Sequence, residues 1–348
     1  MLVYTNYKDI FNLSEEDVEK IDVDLFDFLK FWNSSNATIE VETSGSTGSP
    51  KKISLKREAM ISSAKATIEY FNIKEMSTFH CCLPIKYIGG KMMLVRAIVN
   101  KADIILSKPT SNPVTYLNKE VDFSAMTPWQ VSHAINENNF EKIKKLIIGG
   151  AVISSSLIKE LKDKKTESFQ TYGMTETISH IAVRNLKNTD KNPNYKCLNH
   201  VNISTNKEGE LIVKSPKLGI VSLTTNDIVQ ITGNKEFKYI GRSDNLINTG
   251  GIKVLPEEIE KQLNESLQGV VFFIDKIPDE KSGEKIIVIT NKKENTATIK
   301  KACKHITPKH IKPQLIFFIE QFLFTENKKL NRKKTKNNAV KTNDCISI

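Results

Sequence analysis

Apolar and polar residues switch period along this chain in a way that marks alternating strands and helices. Residues 38–43 (TIEVET) alternate, as a half-buried strand does, and run directly into a polar, glycine-rich stretch. Residues 51–55 suit a second short strand. Met60, Ala64, Ile68 and Phe71 then recur at helical spacing and form one stripe of an amphipathic helix. Residues 103–106 (DIIL) and 145–148 (KLII) are short apolar runs of the kind found in strands buried on both faces. Strands that alternate with helices predict an α/β core with parallel pairing. Further on, residues 210–213, 228–231 and 237–240 read as short strands joined by turns, a β-rich subdomain. Past Gly241 the texture changes again: Pro256 stands at the first helical position before EEIEKQL, and the strands VVFFI and KIIVIT follow. The expected organisation is therefore a large α/β domain with a β-rich subdomain over residues 1–242 and a small mobile α+β domain over 243–334. Residues 335–348 are expected to form a basic, disordered tail.

The chain of 348 residues has room for two or three domains of ordinary size. Its longest apolar stretches, residues 269–274 and 315–319, fall far short of the about 18 to 20 residues that a membrane span needs. The first residues, MLVYTNYKDIF, lack the basic segment and apolar run of a secretory signal. Five cysteines, none in a CxxC pair, agree with a reduced cytoplasmic protein without structural zinc. The net charge of +11 raises the question of nucleic acid, but residues 328–348 alone carry seven Lys or Arg against one acid. A charge gathered at one end reads as a solubilising tail rather than a binding face.

Residues 43–51, TSGSTGSPK, hold the densest chemistry. Four hydroxyl side chains and two glycines in six residues, placed after a strand, offer N–H and O–H donors to a phosphate chain at close range. Lys51 adds a cation. The stretch is not a Walker A loop, since Pro50 stands where GxxxxGK requires glycine, and a P-loop kinase or GTPase is disfavoured.

TSGSTGSPK resembles the phosphate-binding signature of the acyl-adenylate-forming superfamily, and the later motifs occur in that family's order. Gly149-Gly150-Ala151 resembles its adenine-side turn and residues 171–177 (TYGMTET) its YGxTE motif. Asp227 in TTNDIV, Arg242 and Asp244 in YIGRSDNLINTGG, and Pro256-Glu257-Glu258 also fit. The resemblance implies that Thr43, Ser44, Gly45, Ser46, Thr47, Gly48 and Lys51 bind nucleotide phosphates, with Gly149, Gly150, Ala151, Tyr172 and Gly173 about the adenine. Tyr172 has a flat face for stacking, Thr175 a donor for the α-phosphate, and Glu176 a carboxylate for Mg²⁺. Asp227 can accept from both ribose hydroxyls, and Arg242 brings a permanent cation to the same place. The family's catalytic lysine falls in TENKKLNR, similar to TxxGKxxR, with Lys328 at the glycine position and Lys329 at the lysine position. Asp244 falls at the hinge, and Gly250, Gly251 and Lys253 near the pantetheine arm of coenzyme A.

Residues 83–96 (LPIKYIGGKMMLVR) resemble the o-succinylbenzoate-CoA ligases of menaquinone (vitamin K2) biosynthesis, with Tyr87 in place of the more common His and Arg96 at the arginine position. Tyr87, Met92, Met93, Arg96 and Ser179, with 126–129 and His180 nearby, would suit an aromatic acid bearing a second carboxylate. The short stretch before the phosphate loop fits that group too. The implied activity is an AMP-forming acid-thiol ligase using ATP, Mg²⁺ and coenzyme A, with a small carboxylic acid and no nucleic acid as partner. Ligases for other aryl or fatty acids, and a non-catalytic nucleotide-binding protein, remain the alternatives.

Overall fold

The computed structural model describes residues 2–42, 51–189, 192–267, 269–325 and 330–348. Strand β1 (Leu2–Asn6) is followed by helices α1 (Glu15–Glu19) and α2 (Leu25–Asn33), then by strands β2 (Thr38–Glu42) and β3 (Lys52–Lys56). Helix α3 (Arg57–Tyr70), strand β4 (Thr78–Cys81), helix α4 (Ile88–Val99) and strand β5 (Asp103–Ser107) come next. After them come β6 (Val121–Met126), α5 (Pro128–Ala134), β7 (Ile143–Ile148), α6 (Ser155–Lys162) and β8 (Glu167–Gly173). Strands β9 (His180–Asn185), β10 (Tyr195–Cys197), β11 (Asn202–Thr205), β12 (Glu210–Ser215), β13 (Ile220–Gly233) and β14 (Glu236–Arg242) then form the β-rich part. The remainder holds β15 (Ile247–Thr249), β16 (Ile252–Val254), α7 (Pro256–Ser266), β17 (Phe272–Asp279) and β18 (Gly283–Thr290). It ends in α8 (Thr296–Lys304), β19 (Leu315–Phe318), α9 (Arg332–Thr342) and β20 (Cys345–Ser347).

A 12-stranded sheet carries the order β1-β5-β4-β6-β7-β8-β9-β10-β14-β13-β12-β11. Its β5-β4-β6-β7-β8 segment is parallel. Parallel neighbours need long crossovers, here supplied by α4, α5 and α6. The pattern of apolar runs follows directly: Ile147 of β7 packs with Met60, Ala64 and Met92 on one face, while Leu146 and Ile148 pack with Val131 and Leu157 on the other. From β8 to β11 every pairing is antiparallel. The fold is thus α/β, as the period changes predicted.

A second sheet, β16-β15-β18-β19-β20 with β17 on β18, organises the residues after 246. Helices α7 and α8 cover one face through Ile259, Leu263 and Ile299, and α9 covers the other through Ala339. This corrects the expectation of a disordered tail over 335–348. Residues 332–342 are helical and β20 pairs antiparallel with β19. The reason is spacing rather than overall polarity: Thr335 and Ala339, one turn apart, are fully buried, and Ala339 packs with Phe273, Phe317 and Phe322. Lys336 pairs with Asp275 at 3.3 Å, so part of the basic charge is matched by acids of the same sheet. No helix among the described residues is long and apolar enough to cross a membrane.

Candidate active site

In open α/β sheets, ligands bind outside the carboxyl ends of the parallel strands. Here LPIKY follows β4, Thr127-Pro128-Trp129 follows β6, Gly149-Gly150-Ala151 follows β7 and Met174-Thr175-Glu176 follows β8. The motifs singled out in the sequence therefore share one edge. Gly149 sits so close to Thr171 that a Cβ there would overlap the threonine hydroxyl. Gly150 has φ +88°, a conformation that side chains rarely adopt. Gly150 and Ala151 are exposed.

Tyr172, Asp227 and Arg242 converge although far apart in sequence. Asp227 and Arg242 are register partners on β13 and β14, and Arg242 Nη1 lies 3.1 Å from Asp227 Oδ1. Tyr172 Oη donates to Asp227 Oδ2 at 2.5 Å, and its ring meets Phe237 edge-on at 5.1 Å. Arg242 also clamps Asp244 through Nε–Oδ1 (2.8 Å) and Nη2–Oδ2 (2.7 Å). Burial raises the Asp227 carboxyl, and the Tyr172 hydrogen bond and the Arg242 charge oppose it. Partial burial pushes Asp244 upward too, but the Arg242 hydrogen bond wins and holds it below the usual carboxylate range. Burial, and next the Asp227 charge, raise the Tyr172 phenol, which stays a donor. Each Asp227 oxygen keeps a further lone pair, so the carboxylate can still accept hydroxyl groups.

The segment after β8 is shaped by strain. Thr175 and Glu176 stand in a 3₁₀ turn, with Glu176 exposed. Ile178 has φ +67° and ψ −46°, and Ser179 N–H reaches Thr177 O at 2.7 Å, the rare positive-φ γ-turn. Such a conformation in a β-branched residue costs on the order of 1–3 kcal/mol and calls for surroundings that enforce it. Gly173 is part of those surroundings: a Cβ there would collide with the backbone of Ser179 and His180.

The γ-turn delivers Ser179 and His180 to Arg96. This arginine on α4 is 2 % exposed, and no carboxylate pairs with it among the described residues. Its Nε donates to Thr67 Oγ1 (3.2 Å), and its Nη2 donates to Ser179 Oγ (2.5 Å) and faces His180 Nδ1 (3.4 Å). Among the described residues Nη1 has only Met93 Sδ, at 3.8 Å. Burial pushes the guanidinium down to about 9, which leaves it charged at neutral pH. A buried cation surrounded by hydroxyl, imidazole and thioether groups has room in its electrostatics for an anion. Sequence reasoning missed Thr67 and Ser63 here. The available signal was two polar residues one turn apart within the buried stripe of α3; Ser63 Oγ is buried without a partner.

Tyr87 is half-buried at the start of α4, and Met92 and Met93 are core residues, fully buried. Lys51 is exposed, directly before β3. Gly250 and Gly251, with φ +59° and +80°, make the two-residue turn between β15 and β16 that carries exposed Lys253. Gly250 N–H donates to Ser282 O at 2.8 Å, so this hairpin is tied to the second sheet. Thr43, Ser44, Gly45, Ser46, Thr47, Gly48 and Lys329 lie outside the described residues. Among the described residues, no group of three or more His, Cys, Asp or Glu could cage a metal. Mg²⁺ is ordinarily held by one or two carboxylates plus substrate phosphates, and a lone exposed Glu176 fits that donor set.

A family model described as AMP-binding enzyme matches residues 41–219, just over half of the chain. The 2-succinylbenzoate--CoA ligase of Listeria monocytogenes is 24 % identical over 335 residues, spanning 88 % of this chain and 71 % of that protein. An acyl-CoA synthetase (AMP-forming)/AMP-acid ligase II-like protein from Dyadobacter fermentans superposes with a TM-score of 0.66 at 28 % identity, covering 97 % of this chain and all of the other. The o-succinylbenzoate coenzyme A synthetase of Bacillus subtilis, in complex with ATP and magnesium ion, superposes with a TM-score of 0.75 at 19 % identity, covering 95 % and 82 %.

Proposed function

The chain belongs to the AMP-binding enzyme family, and on that premise we propose that it is an ATP-dependent acid-thiol ligase acting on 2-succinylbenzoate. The succinyl carboxylate attacks the α-phosphorus of ATP and pyrophosphate leaves, giving an acyl-adenylate. The coenzyme A thiolate then attacks the acyl carbon and AMP leaves. Mg²⁺, held by Glu176, neutralises triphosphate charge when bound. Tyr172 and Arg242 hold the Asp227 carboxylate where it can accept the ribose hydroxyls, and Thr175 donates to the α-phosphate.

The observation that carries the choice of acid is Arg96: a buried, charged guanidinium with no carboxylate among the described residues. The ring carboxylate of 2-succinylbenzoate supplies the missing anion, and Ser179 lies beside it. Residues 243–334 act as the mobile unit that brings Lys329 to the adenylation step and then Gly250, Gly251 and Lys253 to coenzyme A, with Asp244 at the hinge. Lys329→Ala is expected to abolish adenylation while thioester formation from supplied acyl-adenylate persists. Equal loss in both half-reactions would count against Lys329.

The test is mass-spectrometric detection of AMP and thioester with ATP, Mg²⁺, coenzyme A and an acid panel. The panel contains 2-succinylbenzoate, its monoacid analogue 4-oxo-4-phenylbutanoate, benzoate and medium-chain fatty acids. Thioester from 2-succinylbenzoate in clear preference to the monoacid is the expected result. Preference for another acid removes the Arg96 reading, and no AMP with any acid removes the ligase.

A further inference from the structure

Hydrogen-bond accounting around Arg96 fixes a proton. Thr67 has one hydroxyl hydrogen, and at 3.1 Å from Ser63 O it serves as the helix-type bond back to a backbone carbonyl. Thr67 Oγ1 is then left with lone pairs only, and accepts from Arg96 Nε at 3.2 Å. The remaining neighbour at that oxygen is His180 Nε2, 3.3 Å away, which can satisfy it only as a donor. His180 therefore carries its hydrogen on Nε2 and presents a bare Nδ1 to Arg96 Nη2 at 3.4 Å. The other Nη2 hydrogen goes to Ser179 Oγ, which the Ile178 γ-turn holds in place. Among the described residues the groups that face the imidazole electrostatically are the charged Arg96 and the titratable, down-shifted His200, and burial and then the Arg96 charge keep His180 well below the ordinary histidine range. A neutral ring is the only form compatible with a guanidinium against Nδ1.

We infer that His180 is a positioning residue for the acid substrate: as the Nε2–H tautomer it accepts from Arg96 through Nδ1 and turns Nη1 toward the second carboxylate of a dicarboxylic acid. The inference rests on the reading of Arg96 as that carboxylate's counter-ion. It goes further by naming what aims the guanidinium. Nε and Nη2 are both committed to Thr67, Ser179 and His180, whereas among the described residues Nη1 meets only a thioether, a weak acceptor that a carboxylate readily outcompetes. The orphaned Ser63 hydroxyl, one helical turn before Thr67, is a further unsatisfied donor in the same buried neighbourhood.

Two substitutions of similar bulk separate the atoms. In His180→Asn the amide oxygen can occupy the place of Nδ1 and still accept from Arg96, whereas in His180→Gln the amide N–H can occupy the place of Nε2 but the acceptor at Nδ1 is lost. With the full-length enzyme, His180→Gln is expected to raise KM for 2-succinylbenzoate about tenfold or more, the size of a lost hydrogen bond to a charged group. KM for ATP and for 4-oxo-4-phenylbutanoate should stay near wild type. His180→Asn should keep the preference for the diacid over the monoacid. Matching behaviour of the two variants overturns the inference. Arg96→Lys is the reference: if it loses the diacid preference while His180→Gln keeps it, His180 alone is wrong. If Arg96→Lys keeps the preference, the counter-ion reading itself falls. Should either His180 variant fail to fold, long-range ¹H–¹⁵N spectra of ¹⁵N-histidine-labelled wild-type enzyme decide, because a His180 ring protonated on Nδ1 contradicts the inference and one protonated on Nε2 supports it.

Discussion

Neighbouring glycines at 89 and 90, indistinguishable in the sequence IGGK, have opposite reasons for being there. A Cβ at Gly90 would overlap the carbonyl oxygen of Pro84, so that the first turn of α4 rests directly on the backbone of the LPIKY segment. At Gly89 the nearest atom to such a Cβ is a Leu83 methyl at 3.5 Å, an ordinary contact. Gly90→Ala should therefore lose about 1–3 kcal/mol or more by forcing backbone apart, whereas Gly89→Ala should be neutral or gain up to about 1 kcal/mol of helix propensity. Urea unfolding of the two variants checks this, and equal midpoints would sink it. Gly173 follows the same logic. Its motif was legible in YGMTET, but the reason was not: β8 and β9 approach too closely there for any Cβ. Nor were the hydrogen bonds of Thr67 and His180 to Arg96 legible, although the resemblance sets His180 beside the same pocket. The two side chains lie 29 and 84 residues away in the chain, and only the sheet and a γ-turn at an isoleucine bring them together.

At the scale of elements, apolar runs read well wherever a strand is covered on both faces, as DIIL and KLII are. What those runs concealed is polar cross-bracing within the same sheet. His80 on β4 is fully buried, with Nε2 2.8 Å from Ser107 on β5 and Nδ1 3.4 Å from Ser124 on β6. Burial lowers its pKa from 6.5 to about 4. The sign follows from proton counting: between those values the unfolded chain binds the proton and the folded one does not. This contribution is fully present above about pH 6.5 and is lost as the pH falls toward 4. At pH 5 the loss is about 2 kcal/mol, and the buried His180 and half-buried His200, both down-shifted, act in the same direction. His80→Gln keeps a group near Ser107 but cannot titrate. Its urea stability should fall less steeply than wild type between about pH 7.5 and 5, by about 2 kcal/mol. Parallel pH profiles would remove His80 from the acid limb.

Over the whole molecule, the apolar cores divide where the sequence texture changes. The two clusters around the 12-stranded sheet draw on residues no later than Tyr239, and the two around the second sheet on none earlier than Ile247. The hydrogen bonds across this boundary include Arg242 Nη2 to Asp244 Oδ2 at 2.7 Å and Asn226 Nδ2 to Asp244 Oδ2 at 3.4 Å, and Leu255 and Glu257 of the second unit lie against Gly241. The proposed boundary at residues 242 and 243 therefore predicts separable stability. The tail supplies the means to test it, since its polar composition hid a helix whose few apolar residues close the second sheet. Ala339→Asp places a carboxylate in a fully buried position against Phe273, Phe317 and Phe322, a penalty of several kcal/mol. Amide exchange of the variant should show residues 247–348 losing protection while β6, β7 and β8 keep theirs. Tyr172, Asp227 and Arg242 all lie on the protected side, so AMP binding should survive in the damaged protein. Loss of protection in both sheets together would mean that the contacts across the boundary couple them into one folding unit, and the small domain would then have to move without the independence that its separate core implies.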